Sequence, residues 1–197
     1  RRRSAMRELV FLLEEASDKA MLESLLHRML GKDTKFRCIP FEGKQDLEKQ
    51  MVRKIRGYQN NRARFIVLRD QDSHPDCAVV KRKLLDLCNE SGKAGRCLVR
   101  IACRELETVY LADLQAVEQA LEIHGLARHQ QSRKFRTPDA LGSPSKELKM
   151  LTGNRYEKVA GSRAIGLHLS LDNDRSPSFH HLIAAIRRME NEFNKEH

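Results

Sequence analysis

Two long apolar runs in this chain end abruptly in acids: LVFLLEE at residues 9–15 and ARFIVLRDQD at residues 63–72. A segment buried on both faces tolerates a carboxylate only where it is hydrogen-bonded, paired or bound to a cation, because taking a charge out of water is costly. Asp70 and Asp72 form a D-x-D pair, which on an extended chain puts both side chains on one side, where their oxygens can converge on one ion. Glu14 directly follows the first run, and a fourth acid is available in RELETVYLAD, where Glu107 is expected to join the set in preference to Glu105. Carboxylates gathered in this way repel one another until a divalent cation neutralises them, and hard Mg²⁺ or Mn²⁺ suits an all-oxygen site. Such an ion polarises a phosphate and activates water or an alcohol, so phosphodiester chemistry is the expectation. Taken singly, these acids have ordinary uses in turns and in the first turns of helices, as Asp18 has at a helix start. Capping does not require Glu14, Asp70 and Asp72 to meet at one edge, and their joint placement favours the metal site.

The elements that must position them follow from periodicity. Short apolar runs alternate with amphipathic stretches up to about residue 103, which marks βαβ units and a parallel sheet. Strands are expected at residues 9–13, 35–41, 63–68 and 96–102, with helices near 17–30, 44–58 and 76–91, the first capped by Ser17 and stopped by Gly31. A doubly wound α/β sheet of order 2-1-3-4 sets strands one and three side by side, and ligands collect outside their carboxyl ends. Glu14, Asp70 and Asp72 would meet there.

Beyond the sheet, residues 104–124 carry apolar positions at helical spacing, bent near Asp113 and stopped by Gly125. Residues 126–145 are rich in Arg, Gln, Ser and Pro and read as an exposed basic loop, whose Arg128, Arg133, Lys134 and Arg136 are the expected nucleic-acid contacts. A short helix near 145–151, a Gly-containing connection and an amphipathic helix over 178–193 complete the chain. Residues 7–197 are thus expected to form one domain with a helical C-terminal part from about residue 104. Residues 1–6 are expected to be a disordered or cloning-derived N-terminus, with Arg1, Arg2 and Arg3 ahead of a natural start at Met6.

The formal charge of the 197-residue chain is +10, which points to polyanionic partners, DNA or RNA among them. No apolar stretch approaches the length of a membrane span and no secretory leader is visible, so a cytoplasmic protein without membrane contact is expected. The five cysteines lack C-x-x-C spacing and are expected to be reduced, and none of the eight histidines pairs with them at zinc-ligand spacing.

The pattern FLLEEASD followed by FIVLRDQDS resembles the Toprim domain of topoisomerases, primases and the overcoming-lysogenization-defect nucleases. The ordered segments FLLEEASDKAMLESLL, VLRDQDS, RELETVYLAD, KELKMLTGNRYEKVAG and RSPSFHHLI are similar to compact stand-alone Toprim-like proteins of prokaryotes known only as a domain of unknown function. The resemblance implies a Toprim-like doubly wound, mostly parallel sheet with flanking helices and a helical C-terminal extension. It gives Glu14 the acid/base or ligand role and Asp70 and Asp72 the Mg²⁺, with Glu15 standing where many relatives have Gly. It also makes Lys158, or equally Arg155, a basic residue near the scissile phosphate. Its further implications are a nuclease or nuclease subunit of an anti-phage defence complex, with an ATP-binding cassette type ATPase as partner and self-association left open. The competing class is a Toprim-fold module that binds nucleic acid or docks an ATPase and cuts nothing. A phosphotransfer domain is disfavoured, since the D-x-D stands on the third strand and continues Ser-His-Pro without the Thr of a phosphatase motif.

Overall fold

The computed structural model describes residues 6–195, so the tail expected ahead of Met6 lies outside the described residues. Four parallel strands, β1 (Glu8–Leu13), β2 (Lys35–Pro40), β3 (Ala63–Asp70) and β4 (Cys97–Ala102), stand in the order β2-β1-β3-β4. This is the α/β sheet expected. Every residue from Leu9 to Leu13 and from Ala63 to Leu68 is buried except for traces of exposure, because both central strands are covered on two faces. Leu9, Phe11 and Leu13 with Ile66 and Leu68 enter one core, while Val10 and Leu12 with Phe65 and Val67 enter the other. Each such side chain contributes about 1.5–3 kcal/mol by leaving water.

The second core is closed by α2 (Lys44–Arg56) and α3 (Cys77–Glu90), through Leu47, Met51, Ile55, Val80 and Leu84. The first is closed by α1 (Ala16–Met29) and by the helices that follow β4: α4 (Glu107–Leu111), α5 (Leu114–Leu121), α6 (Pro144–Leu151), α7 (Lys158–Gly166) and α8 (Pro177–Asn194). Among the described residues, the chain after β4 contains helices and turns only.

Four local expectations are corrected. The α1 cap is Glu15 rather than Ser17, and its N–H is taken by the Asp18 carboxylate (3.0 Å). The helix expected over 104–124 is two helices, since Asp113 accepts the Ala116 N–H (3.1 Å) and starts α5 afresh. That helix closes at Glu122, which takes a left-handed conformation (φ 52°) three residues before Gly125. The segment 126–145 is not a loose loop, because Leu126, Phe135 and Pro138 are buried and the Gln130 amide bridges Leu114, Leu111 and Phe135 of the main chain. Arg128, Arg133, Lys134 and Arg136 remain exposed on it, with Lys134 paired to Glu147 (2.6 Å).

The connection expected before the last helix holds α7, whose sequence KVAGSRAIG conceals it because two glycines lower helix propensity. Glycine is required by packing there. A Cβ on Gly166 would lie 2.7 Å from the Met21 carbonyl oxygen of α1, and the Ser24 hydroxyl of α1 donates to the Arg163 carbonyl (2.9 Å) across the same seam. Gly166→Ala is therefore expected to cost about 1–3 kcal/mol by overpacking against fixed backbone. Gly142→Ala, with open space around it, should cost less than about 0.5 kcal/mol. Urea denaturation of the two variants checks the difference, and equal midpoints would remove the packing argument.

Candidate active site

The carboxyl ends of β1 and β3 adjoin in a parallel pair whose last matched residues are Leu13 and Leu68. The chain then delivers Glu14 from the end of β1, Asp18 from the first turn of α1, Asp70 from the last position of β3 and Glu107 from the first position of α4. Asp70 shares the parity of Ile66 and Leu68, which face α1, so its carboxyl is turned toward Asp18 and Glu107. Glu14 crosses to β3, where its Oε2 accepts the Asp70 N–H (3.1 Å). Glu14, Asp18 and Glu107 are 6%, 3% and 1% exposed, which is rare for carboxylates and rarer for a group of them. None of the four forms an ion pair with another described residue.

The electrostatic result is collective. Burial, and then the charges of Asp18, Glu14, Glu107 and Asp72, hold the Asp70 carboxyl well above the ordinary range. Asp18 is pushed up to about 7 by burial, against the Glu15 N–H and Lys158 that favour its charge and with Glu14 and Glu15 that oppose it. Glu14 and Glu107 are raised as well, each chiefly by burial. The Tyr156 hydroxyl donates to Glu107 Oε1 (2.9 Å), fixing that carboxylate from behind. Gly161 makes room for the ring that does so, since a Cβ there would lie 2.5 Å from Tyr156 Cδ2.

Two lysines flank the cluster. Lys158, at the first position of α7, pairs with Glu15; burial lowers its pKa, yet Glu15, Glu107 and Asp70 together raise it. Lys44, at the first position of α2, pairs with Asp72 at 3.0 Å. Asp72 reaches the cluster from a left-handed turn (φ 54°) rather than from a strand pleat, because β3 ends at Asp70 and the Asp72 N–H is held by the Arg104 carbonyl (2.7 Å). Its charge is still felt by Glu14 and Asp70. Glu105 turns away and accepts the Ser145 N–H (2.7 Å) at the start of α6, whereas Glu107 faces the cluster. Glu15 is engaged at the start of α1 and with Lys158, leaving Glu14 as the glutamate that contacts β3. No ion pair or side-chain hydrogen bond among the described residues ties Arg155 to the acids.

The donors are all oxygens, crowded and only partly solvated, which is the chemistry of a hard divalent cation. Among the described residues no group of three or more His, Cys, Asp or Glu side chains is drawn together closely enough to hold an ion unaided. An ion bound there would take one or two of these carboxylates and complete its shell with water and phosphate oxygens, as Mg²⁺ commonly does. Asp18 and Tyr156 are the site residues that the linear pattern did not single out. Asp18 follows Glu14 by one helical turn, a signal that is hidden because an acid at that position is also an ordinary helix-start residue.

A family model described as "Domain of unknown function (DUF4276)" matches residues 13–187, a span that contains all of these acids and Lys158. No curated protein matches the chain. Among solved structures, the C-terminal region of the Burkholderia pseudomallei OLD protein is similar with a TM-score of 0.54 at 14% identity, over 91% of this chain and 97% of that one. At that identity the likeness shows the fold alone.

The Asp18 carboxyl binds its proton more tightly in the folded chain, near pH 7, than its ordinary value of 3.8. Its stabilising contribution is therefore complete below about pH 4 and is lost as pH rises through about 7. Without divalent cation, Asp18→Asn is expected to be more stable than the parent at about pH 8 and to lose that advantage by about pH 4. Urea midpoints at the two pH values test this, and a pH-independent difference would show that Asp18 is not the strained acid.

Proposed function

The chain belongs to the DUF4276 family, a domain of unknown function, and from that premise we propose that it is a divalent-metal-dependent nuclease or the nuclease subunit of a larger assembly. The observation that carries the reading is the meeting of Glu14, Asp18, Asp70 and Glu107, from four elements, at one sheet edge, where among the described residues none of them forms an ion pair and the nearest lysine, Lys158, is paired with Glu15. A purely structural edge would be cheaper to build with apolar or singly capped residues.

In this reading one or two of Asp70, Glu14, Asp18 and Glu107 would hold Mg²⁺ or Mn²⁺, with water and substrate phosphate completing its shell. Such an ion supplies charge stabilisation on the phosphate and a more acidic bound water. Glu14 keeps the two strand ends in register through the Asp70 N–H, so its carboxylate is aimed before substrate arrives. Tyr156 holds Glu107 in one orientation. Lys158 stands at the start of α7 with its ammonium beside the acids, where it can meet a phosphate oxygen. The likeness of the motifs to Toprim nucleases supports the same assignment, together with an ATPase partner and a role in defence.

A second reading, a Toprim-fold subunit that binds or docks without cutting, draws support from one observation: no three described ligands converge unaided. Metal titration separates the two. Calorimetry with Mn²⁺ should give a saturable site that Asp70→Asn or Glu14→Gln weakens by more than about tenfold. Glu15→Gln should retain it. Labelled DNA and RNA should be cut in Mg²⁺ or Mn²⁺ by the parent and by Glu15→Gln, and left intact by Asp70→Asn and Glu14→Gln. Unchanged Mn²⁺ affinity in both variants would remove the metal reading and leave the docking one.

A further inference from the structure

The nucleic-acid contacts expected from sequence lie on 126–145, but the structure offers a better-formed surface elsewhere. Strand β2 is an edge of the sheet, and α2 runs beside it. Three concavities of about 490, 390 and 360 Å³ adjoin there, joined through shared walls at Ile39, Asp46, Gln50, Arg53 and Lys54. Together they make one groove between the edge strand and the helix. One end is lined by Phe41 and Glu42, and the next residue, Gly43, donates its N–H to the Glu14 carbonyl (3.0 Å). The groove therefore opens beside the acidic cluster. Its other end lies at Tyr58, with the Arg37 guanidinium over the ring (6.0 Å).

Cations outnumber carboxylates along it, Arg37, Lys49, Arg53 and Lys54 against Glu8, Glu42 and Asp46. Arg37, Lys49, Arg53 and Lys54 are exposed, and neither Arg53 nor Lys54 has an acidic partner among the described residues. Of the bordering acids, Glu8 pairs with Arg37 (3.9 Å) and accepts from the Tyr58 hydroxyl and the Asn60 amide, and Asp46 accepts from the Gln50 amide and the Glu42 N–H, so the excess positive charge lies on Arg53 and Lys54 of α2. Lys44, 47% exposed, stands at the junction between groove and cluster.

We propose that the groove between β2 and α2 holds one nucleic-acid strand by its phosphates and leads it to the acidic cluster. Where the strand leads rests on the nuclease reading, whereas its binding does not. Cations on successive turns of α2, Lys49, Arg53 and Lys54, face Arg37 on the edge strand and suit phosphates passing between them, so the binding is by backbone rather than by base sequence. The Arg37 and Tyr58 pair adds a flat cationic surface on which a base can stack.

The test is fluorescence anisotropy of the full chain with labelled single-stranded DNA and RNA of mixed sequence, at low salt in EDTA. Arg53→Glu with Lys54→Glu should weaken binding to both by at least about tenfold, and the log-log salt slope should become shallower by about one for each cation removed. Arg128→Glu with Arg133→Glu should change affinity by less than about threefold. Asp70→Asn should bind strands as the parent does while losing Mn²⁺, so failure of the nuclease reading leaves the groove result standing. Parent-like affinity in the Arg53 and Lys54 variant would overturn the proposal. So would an equal loss in the Arg128 and Arg133 variant, which would mark diffuse charge. Displacement of the strand by polyglutamate as readily as by unlabelled strand would assign the groove to an acidic protein instead.

Discussion

The crowding of Asp70 by Glu14, Asp18 and Glu107 is the constraint to which the neighbouring elements conform. Four buried or half-buried carboxyl groups in one place raise one another's affinity for protons or cations, and a fold that retains them must supply stability elsewhere. Here it comes from two central strands buried on both faces and from cores closed on each side of the sheet. The Glu14 to Asp70 hydrogen bond then lets the strained edge keep a defined shape.

Helix α7 connects that edge to the rest of the molecule. It lies against α1 closely enough to require Gly166, and α1 carries Asp18. Its first residue is Lys158, and Gly161 within it leaves space for the ring of Tyr156, whose hydroxyl steadies Glu107. One short helix thus positions a cation and a second-layer hydrogen bond while packing on the element that bears one of the acids. Small shifts along the α1 and α7 seam would be transmitted to both sides of the cluster, since close-packed interiors deform little before they rearrange.

The two lysines give the site a graded border. Glu15 and Asp72, at the rim, are matched by Lys158 and Lys44, while the inner acids have no such partner among the described residues. The sheet edge is therefore acidic at its centre and charge-balanced at its rim.

The strands and the ends of β1 and β3 were legible in the sequence because hydrophobic runs and helical stripes are local patterns, and a carboxylate that breaks a doubly buried run marks its own position, whereas the order β2-β1-β3-β4 followed from the rule for doubly wound sheets and the Toprim resemblance. Glu14 and Asp70 could be named on that basis, and Glu107 by its place after the fourth strand. The turn at Asp72, the split at Asp113, the anchoring of 126–145 by Gln130 and the existence of α7 were decided by tertiary contacts that no local window contains. The same holds for Asp18 and Tyr156. The sequence by itself determined which strand ends carry charge. Only the packed structure decided which acids share one desolvated space, because repulsion and desolvation depend on distances between elements that are far apart along the chain.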